Sequence, residues 1–229
     1  VAISSLKMED CLVLATKKGQ VKAMDLRQLI NMRSRGLAAM KLRRDDELVS
    51  ASLVSGRPDV VVVTERGQAI RFPVDQLPKR SRAAGGVRGI RLAQGDKVVS
   101  MGMTLSNDTL LVASKGGYGK STGLSYYRGQ KRGGSGLRTF RVSTKTGPIV
   151  TALVVSDQPD QEIFLVSSQA QVIRINLEDI RLTGRNTQGV IVWRDRDPDD
   201  YIVSLANFVN PEKNSNEDET PREAATQQI

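Results

Sequence analysis

Residues Gln130-Lys131-Arg132-Gly133-Gly134-Ser135-Gly136 set two adjacent cations beside a glycine pair. Charge next to backbone that carries no Cβ can bring both a positive side chain and amide N–H groups up to an anion, a combination suited to phosphate oxygens and not to reading base edges. A cation also stands four residues before a recurring glycine at Arg82, Arg132 and Arg185, ahead of Gly86, Gly136 and Gly189; in the first unit that place is Met32, followed by Arg33. Repetition of this kind turns isolated charges into a track. Other chemistries find little support. The chain has no histidine and a single cysteine, Cys11, which removes the commonest general base and zinc ligand and excludes an intramolecular disulfide. Gly116-Gly-Tyr-Gly-Lys-Ser121 ends like a nucleotide-binding loop, but Ser114 occupies the place of the first glycine, and the segment aligns with hairpins instead of opening a helix. The carboxylates of Asp45-Asp46-Glu47 and of 195–200 fall at repeated turns, where we expect solvated turn residues that keep a polyanion off that side. Trp193 occupies the slot of Met40, Ile90 and Phe140 and is assigned to the core. No catalytic residue, metal or cofactor is predicted.

The overall charge of +9 is unevenly spread: residues 60–141 hold 15 basic and 4 acidic side chains, whereas 142–209 hold 6 and 9, and 210–229 hold 2 and 5. A field this concentrated attracts polyanions, either nucleic acid or an anionic membrane. No apolar run approaches the ~20 residues that span a bilayer, and the first residues lack a signal-like pattern. The expectation is a cytoplasmic, monomeric binding domain without membrane association.

The elements that must present these charges are legible from a repeat. Gly36-Leu-Ala-Ala-Met-Lys41, Gly86-Val-Arg-Gly-Ile-Arg91, Gly136-Leu-Arg-Thr-Phe-Arg141 and Gly189-Val-Ile-Val-Trp-Arg194 recur at intervals of 50, 50 and 53 residues, the sign of an array of one small unit. Each unit reads as an apolar strand, a tight turn (Lys17-Lys-Gly-Gln20, Glu65-Arg-Gly-Gln68), a returning strand, a short segment with helical leanings, the basic glycine-rich loop, the signature strand, an acidic turn and a closing Val-Ser or Val-Thr strand. Ala170 replaces the turn glycine in the fourth unit, so a looser hairpin is expected there. Four short strands per unit give an all-β, propeller-like array of about 50-residue blades at 11–59, 60–108, 109–161 and 162–209. Residues 1–6 read as the closing strand of an earlier unit, and 210–229 as an acidic, disordered tail.

The heptad at 130–136 resembles the box motif of the C-terminal domain of DNA gyrase A, with Ser135 in place of a cation. Gly67-Gln-Ala-Ile-Arg-Phe-Pro73, 82–92, 117–120 and 184–190 are similar to that family as well, so the resemblance covers roughly residues 1–209. It implies a β-pinwheel whose blades exchange strands and whose rim wraps duplex DNA, here the later blades of such a disc. It also implies partners in the N-terminal catalytic region of gyrase A and in gyrase B, a place at the bacterial nucleoid, and a non-catalytic part in ATP-dependent negative supercoiling. On this basis the DNA-contacting residues are Lys79, Arg80, Arg82, Arg88, Gln130, Lys131, Arg132, Arg138 and Arg185, with Gly133, Gly134 and Gly136 permitting close approach. The corresponding C-terminal domain of topoisomerase IV and a protein-binding propeller scaffold are the alternatives.

Overall fold

The computed structural model describes residues 11–29, 36–105, 108–156, 161–194, 197 and 199–209; the leading segment and the acidic tail considered above lie outside them. All the regular structure in the described residues is β, apart from single 3-10 turns at Leu26–Leu29, Val74–Gln76, Leu124–Tyr126 and Leu177–Asp179, where the sequence shows helical leanings.

Each unit opens with a hairpin: β1 (Cys11–Thr16) and β2 (Gln20–Asp25), β4 (Asp59–Thr64) and β5 (Gln68–Pro73), β8 (Thr109–Ser114) and β9 (Tyr118–Gly123), and β12 (Gln161–Ser167) and β13 (Val172–Asn176). The closing strands β3 (Leu48–Val54), β7 (Val98–Thr104), β11 (Ile149–Val155) and β15 (Ile202–Val209) pair with the first strand of their own unit, and each ladder carries an irregularity at its turn end. The two-residue signature strands do not stay at home. β6 (Val87–Arg88) pairs with β2, β10 (Leu137–Arg138) with β5, and β14 (Val190–Ile191) with β9. The sheets therefore run β3-β1-β2-β6, β10-β5-β4-β7, β11-β8-β9-β14 and β13-β12-β15, so repeat and blade are out of step by one strand. This is the exchange that the family resemblance implies. The first signature segment, 36–41, forms no ladder among the described residues.

The continuous apolar runs follow from blades stacked face to face. Alternate side chains of a strand point to opposite faces, and both faces are covered: Val60 and Val62 pack with Val13, Ala15 and Val21 of the first blade, while Val61 and Val63 pack with Leu110 and Val112 of the third. Trp193 is 8% exposed and packs with Ala113, Leu165 and Ile202, the core position its repeat slot predicts. The closing strands meet at the hub, where Ser50 Oγ donates to Met101 O (3.1 Å) and Ser100 Oγ to Ala152 O (2.5 Å). Those bonds explain the recurrent serine after valine: its hydroxyl ties one blade to the backbone of the next. With the closing strands at the hub, the donated signature strands form the outer edge of the first three sheets, and β13 that of the fourth.

Two turn expectations need correction. The fourth hairpin is no looser than the others: Ala170 takes φ +63 and its N–H donates to Ser167 O (3.1 Å), as Gly19, Gly67 and Gly117 donate to Thr16, Thr64 and Ser114. The turn carboxylates are not all solvated. Asp46 is buried and accepts from Thr16 Oγ1 (2.8 Å) and from the N–H groups of Lys18 (2.9 Å) and Glu47 (3.0 Å). Asp200 is buried and accepts from Ser167 Oγ, Ser168 Oγ and the N–H groups of Gln169 and Tyr201. Burial acts to raise the Asp200 pKa, but these donors outweigh it and hold the carboxyl below its ordinary value. A carboxylate can accept from several donors crowded at a tight turn, which accounts for the acidic residues that recur there. In the third unit a Ser143–Thr146 turn replaces the aspartate, and the buried Ser114 hydroxyl is left without a partner.

Candidate nucleic-acid interface

The basic loops of the second, third and fourth units reach the rim because each crosses to the preceding blade and lies along its outer strand. Arg80 N–H donates to Ala23 O (2.9 Å), Gln130 N–H to Arg71 O (2.8 Å) and Thr183 N–H to Ser121 O (2.9 Å). The chain then reverses into the signature strand. At Gly136 and Gly189 it does so with φ of +76 and +74, and a Cβ would lie 2.6 Å from Ala69 O or 2.3 Å from Gly119 O. Only glycine meets both demands. Beyond the strand, the N–H groups of Lys41, Arg91 and Arg141 donate to Ala84 O, Gly134 O and Thr187 O in the next unit's loop. One rim loop is thereby hydrogen-bonded to the next.

On this rim Lys79, Arg80, Arg88, Lys131 and Arg138 are exposed, and among the described residues none of them is paired with a carboxylate. The cations that do pair lie elsewhere, as Lys17 with Glu47, Lys97 with Glu65 and Arg71 with Asp59. Arg82, Arg132 and Arg185 are half-buried. Arg132 donates through Nε to Gln76 O (3.2 Å) and through Nη1 to Arg88 O (2.6 Å), and Arg185 Nη1 donates to Arg138 O (3.3 Å). These two arginines reach back to the carbonyl of the preceding signature strand, so they bind the rim together as well as charge it. Gln28 and Gln76 serve the same junctions, accepting from the N–H groups of Arg82 (2.8 Å) and Arg132 (2.7 Å).

The glycine pair of the heptad differs from the expectation of open amide donors. Gly133 N–H donates to Gly89 O (2.7 Å) and Gly134 N–H to Lys131 O (3.4 Å). Gln130 is half-buried and held through its backbone N–H and through its carbonyl, which accepts from Gln76 Nε2. The charge that the heptad turns to solvent is therefore chiefly that of Lys131, with Arg132 half-buried. A further set of cations lies outside those expected from the sequence. Lys41, Arg91, Arg141 and Arg194 are all exposed and each stands five residues after a signature glycine; the signal was in the repeat itself, one cation ending every copy. Arg128 and Arg181 are likewise exposed beside the loops.

The rim is not uniform. Arg88 and Arg138 correspond to Ile191, and Lys79, which bridges to Ala23, corresponds to Leu182, which bridges to Ser121. Leu182 and Ile191 are 63% and 44% exposed, so cations are denser over the first two blades than over the third. No helix of the described residues is long and apolar enough to cross a membrane, and no group of three or more potential metal ligands occurs among them.

A family described as the DNA gyrase C-terminal domain, beta-propeller, matches residues 12–55, 58–104, 108–156 and 161–208, one match per unit. The DNA gyrase A protein of Dehalogenimonas lykanthroporepellens is 37% identical over 215 residues, covering 91% of this chain and 26% of that protein. Its counterpart from Staphylococcus aureus strain MRSA252 is 36% identical over 233 residues, covering 100% of this chain and 26% of that protein. The chain thus spans about a quarter of the length of the curated relatives it matches. A solved DNA gyrase A C-terminal domain superposes with a TM-score of 0.81 at 28% identity, over 90% of this chain and 68% of that one. The C-terminal domain of a DNA topoisomerase IV superposes with a TM-score of 0.82 at 24% identity, over 90% and 64%, a likeness of fold.

Proposed function

The chain belongs to the DNA gyrase C-terminal domain family, and from that premise we propose that its outer rim binds duplex DNA by the phosphate backbone, bends it and wraps it, without reading base sequence. The observation that carries the reading is the row of exposed cations, free of carboxylate partners among the described residues and carried by two of the donated strands and by the loops beside them. Bending 20–30 base pairs by 40–90° costs of order 1–6 kcal/mol on smooth elastic estimates, which a few phosphate contacts per blade offset. Within gyrase, acting with the N-terminal catalytic region of gyrase A and with gyrase B, such a wrap presents a right-handed crossing for strand passage and so supports ATP-dependent negative supercoiling. The domain contributes binding and geometry, and the chemistry belongs to other regions. The 36–37% identity to gyrase A proteins favours this reading over a topoisomerase IV one.

Energy transfer between dyes at the two ends of a duplex tests it. The wild-type domain is expected to shorten the end-to-end distance at low salt, and Lys131→Ala combined with Arg132→Ala to reduce that shortening. A duplex that stays straight on binding overturns wrapping, and one that is not retained in a gel at all overturns DNA binding.

A further inference from the structure

Two lysines beneath the rim do something the row of surface charges does not. Lys22 in β2 and Lys120 in β9 occupy the same place in their repeats, and neither has exposed surface. The ammonium of Lys22 donates to Ala39 O (2.8 Å), Arg82 O (3.0 Å) and Ala84 O (2.9 Å). That of Lys120 donates to Gly184 O (2.7 Å), Arg185 O (2.7 Å) and Thr187 Oγ1 (3.2 Å). An ammonium has three donors, and here all three are spent, mostly on the loop that the next repeat lays across the strand. Burial of this position does not by itself call for lysine. The second blade has Ile70 there, fully buried, and its loop is held by the Gln76 side chain without a lysine; the fourth has Ile173. A buried cation without an anion is costly, so its recurrence in two separate blades points to what it does for the loop.

We propose that Lys22 and Lys120 are positioning residues of the DNA-binding rim, their ammonium groups gripping the backbone of the loops that carry Arg82 and Arg185 and so fixing where those loops meet the phosphates. The inference rests on the DNA-binding reading above. The charge environment gives it a signature. Burial, and then the like charge of Arg185, lower the Lys120 pKa to about 8; burial, and then Arg80, lower that of Lys22. Across the sheet Lys120 pairs with Val112, the Arg185 guanidinium lies over the Tyr127 ring, 5.9 Å from its centroid, and no carboxylate pairs with Lys120 among the described residues. A phosphate arriving at Arg185 offsets that repulsion and favours the protonated lysine. Binding above pH 8 therefore takes up a proton.

The test uses the whole chain and a 40-base-pair duplex, with affinity followed by anisotropy from pH 7 to 9.5 and amide exchange at residues 183–187 followed without DNA. Wild-type affinity is expected to fall about threefold to tenfold over that range, while Lys120→Ile, the residue other blades use, binds about fivefold more weakly at pH 7, loses the pH dependence and exchanges faster at Thr183. Lys18→Met, at an exposed hairpin turn, keeps the wild-type profile. A Lys120→Ile variant with an unaltered pH profile, or with unaltered exchange, overturns the positioning role. A wild type that binds no duplex overturns the DNA-binding reading instead, whatever the exchange shows. Should Lys120→Ile fail to fold, proton uptake by the wild type on binding at pH 8, measured calorimetrically in two buffers, decides: uptake supports the role and its absence overturns it.

Discussion

Lys131 and Arg132 are neighbours with different duties. Lys131 is exposed, whereas Arg132 donates to Gln76 O and Arg88 O and so spends much of its guanidinium on the protein. Charged hydrogen bonds of this kind are worth roughly 1.5–3 kcal/mol when buried and less near solvent. We therefore expect Arg132→Ala to lower unfolding free energy by about 1 kcal/mol as well as weakening DNA binding, and Lys131→Ala to weaken binding alone; denaturant titration beside a gel shift checks the pair. Equal stability of the two variants contradicts the bridging role. At this scale the sequence was a good guide to which residues carry charge. It was a poor guide to which charges are spoken for, because Arg88 O and Gln76 lie 44 and 56 residues from Arg132 and meet it only after strand exchange.

The turns and loops of a blade are held by buried polar groups. Asp46 gathers a hydroxyl and two backbone N–H groups, so Asp46→Ala strands those donors and should cost about 1–3 kcal/mol of stability, read as a lower midpoint in urea. The acidic turns at 45–47 and 195–200 were visible, but the burial of Asp46 and Asp200 was not: an aspartate in a turn looks the same in sequence whether it faces water or three donors. Lys120 gives the third blade a pH dependence of known sign. Its pKa is about 8 folded, below the ordinary lysine value, so the unfolded chain holds more protons between these limits and stability rises with pH through that window. The gain is about 1–3 kcal/mol from pH 8 to 10.5, is lost as pH falls through 8, and should vanish in Lys120→Ile when denaturation is followed across that range. On the proposal made above, DNA affinity is expected to run the opposite way, because a phosphate beside Arg185 favours the charged lysine.

Taken whole, the molecule is an arc of blades whose inner strands meet at a hub and whose outer loops are joined one to the next. Lys41 to Ala84, Arg91 to Gly134 and Arg141 to Thr187 are the successive links, and exposed cations accompany them along the edge. Contact with eight or so phosphates along this path predicts a slope near −7 for log K against log salt, from about −0.9 per phosphate. A slope near zero contradicts backbone wrapping. The replacement of rim cations by Leu182 and Ile191 over the third blade further predicts that most of the slope comes from the first two blades. Charge-removing substitutions at Arg88 and Arg138 should flatten it more than one at Arg181.

The four-fold repeat, the alternation of apolar and turn residues, the core place of Trp193 and the concentration of charge in residues 60–141 were all determined by sequence alone, because each depends on local periodicity or composition. Which blade each signature strand completes, and which of its polar groups are consumed inside the protein, was decided by tertiary structure. A two-residue strand such as Val87–Arg88 carries too little pattern to choose a partner; it pairs with β2 at the outer edge of the preceding blade, beside the loop carbonyls that Lys22 holds.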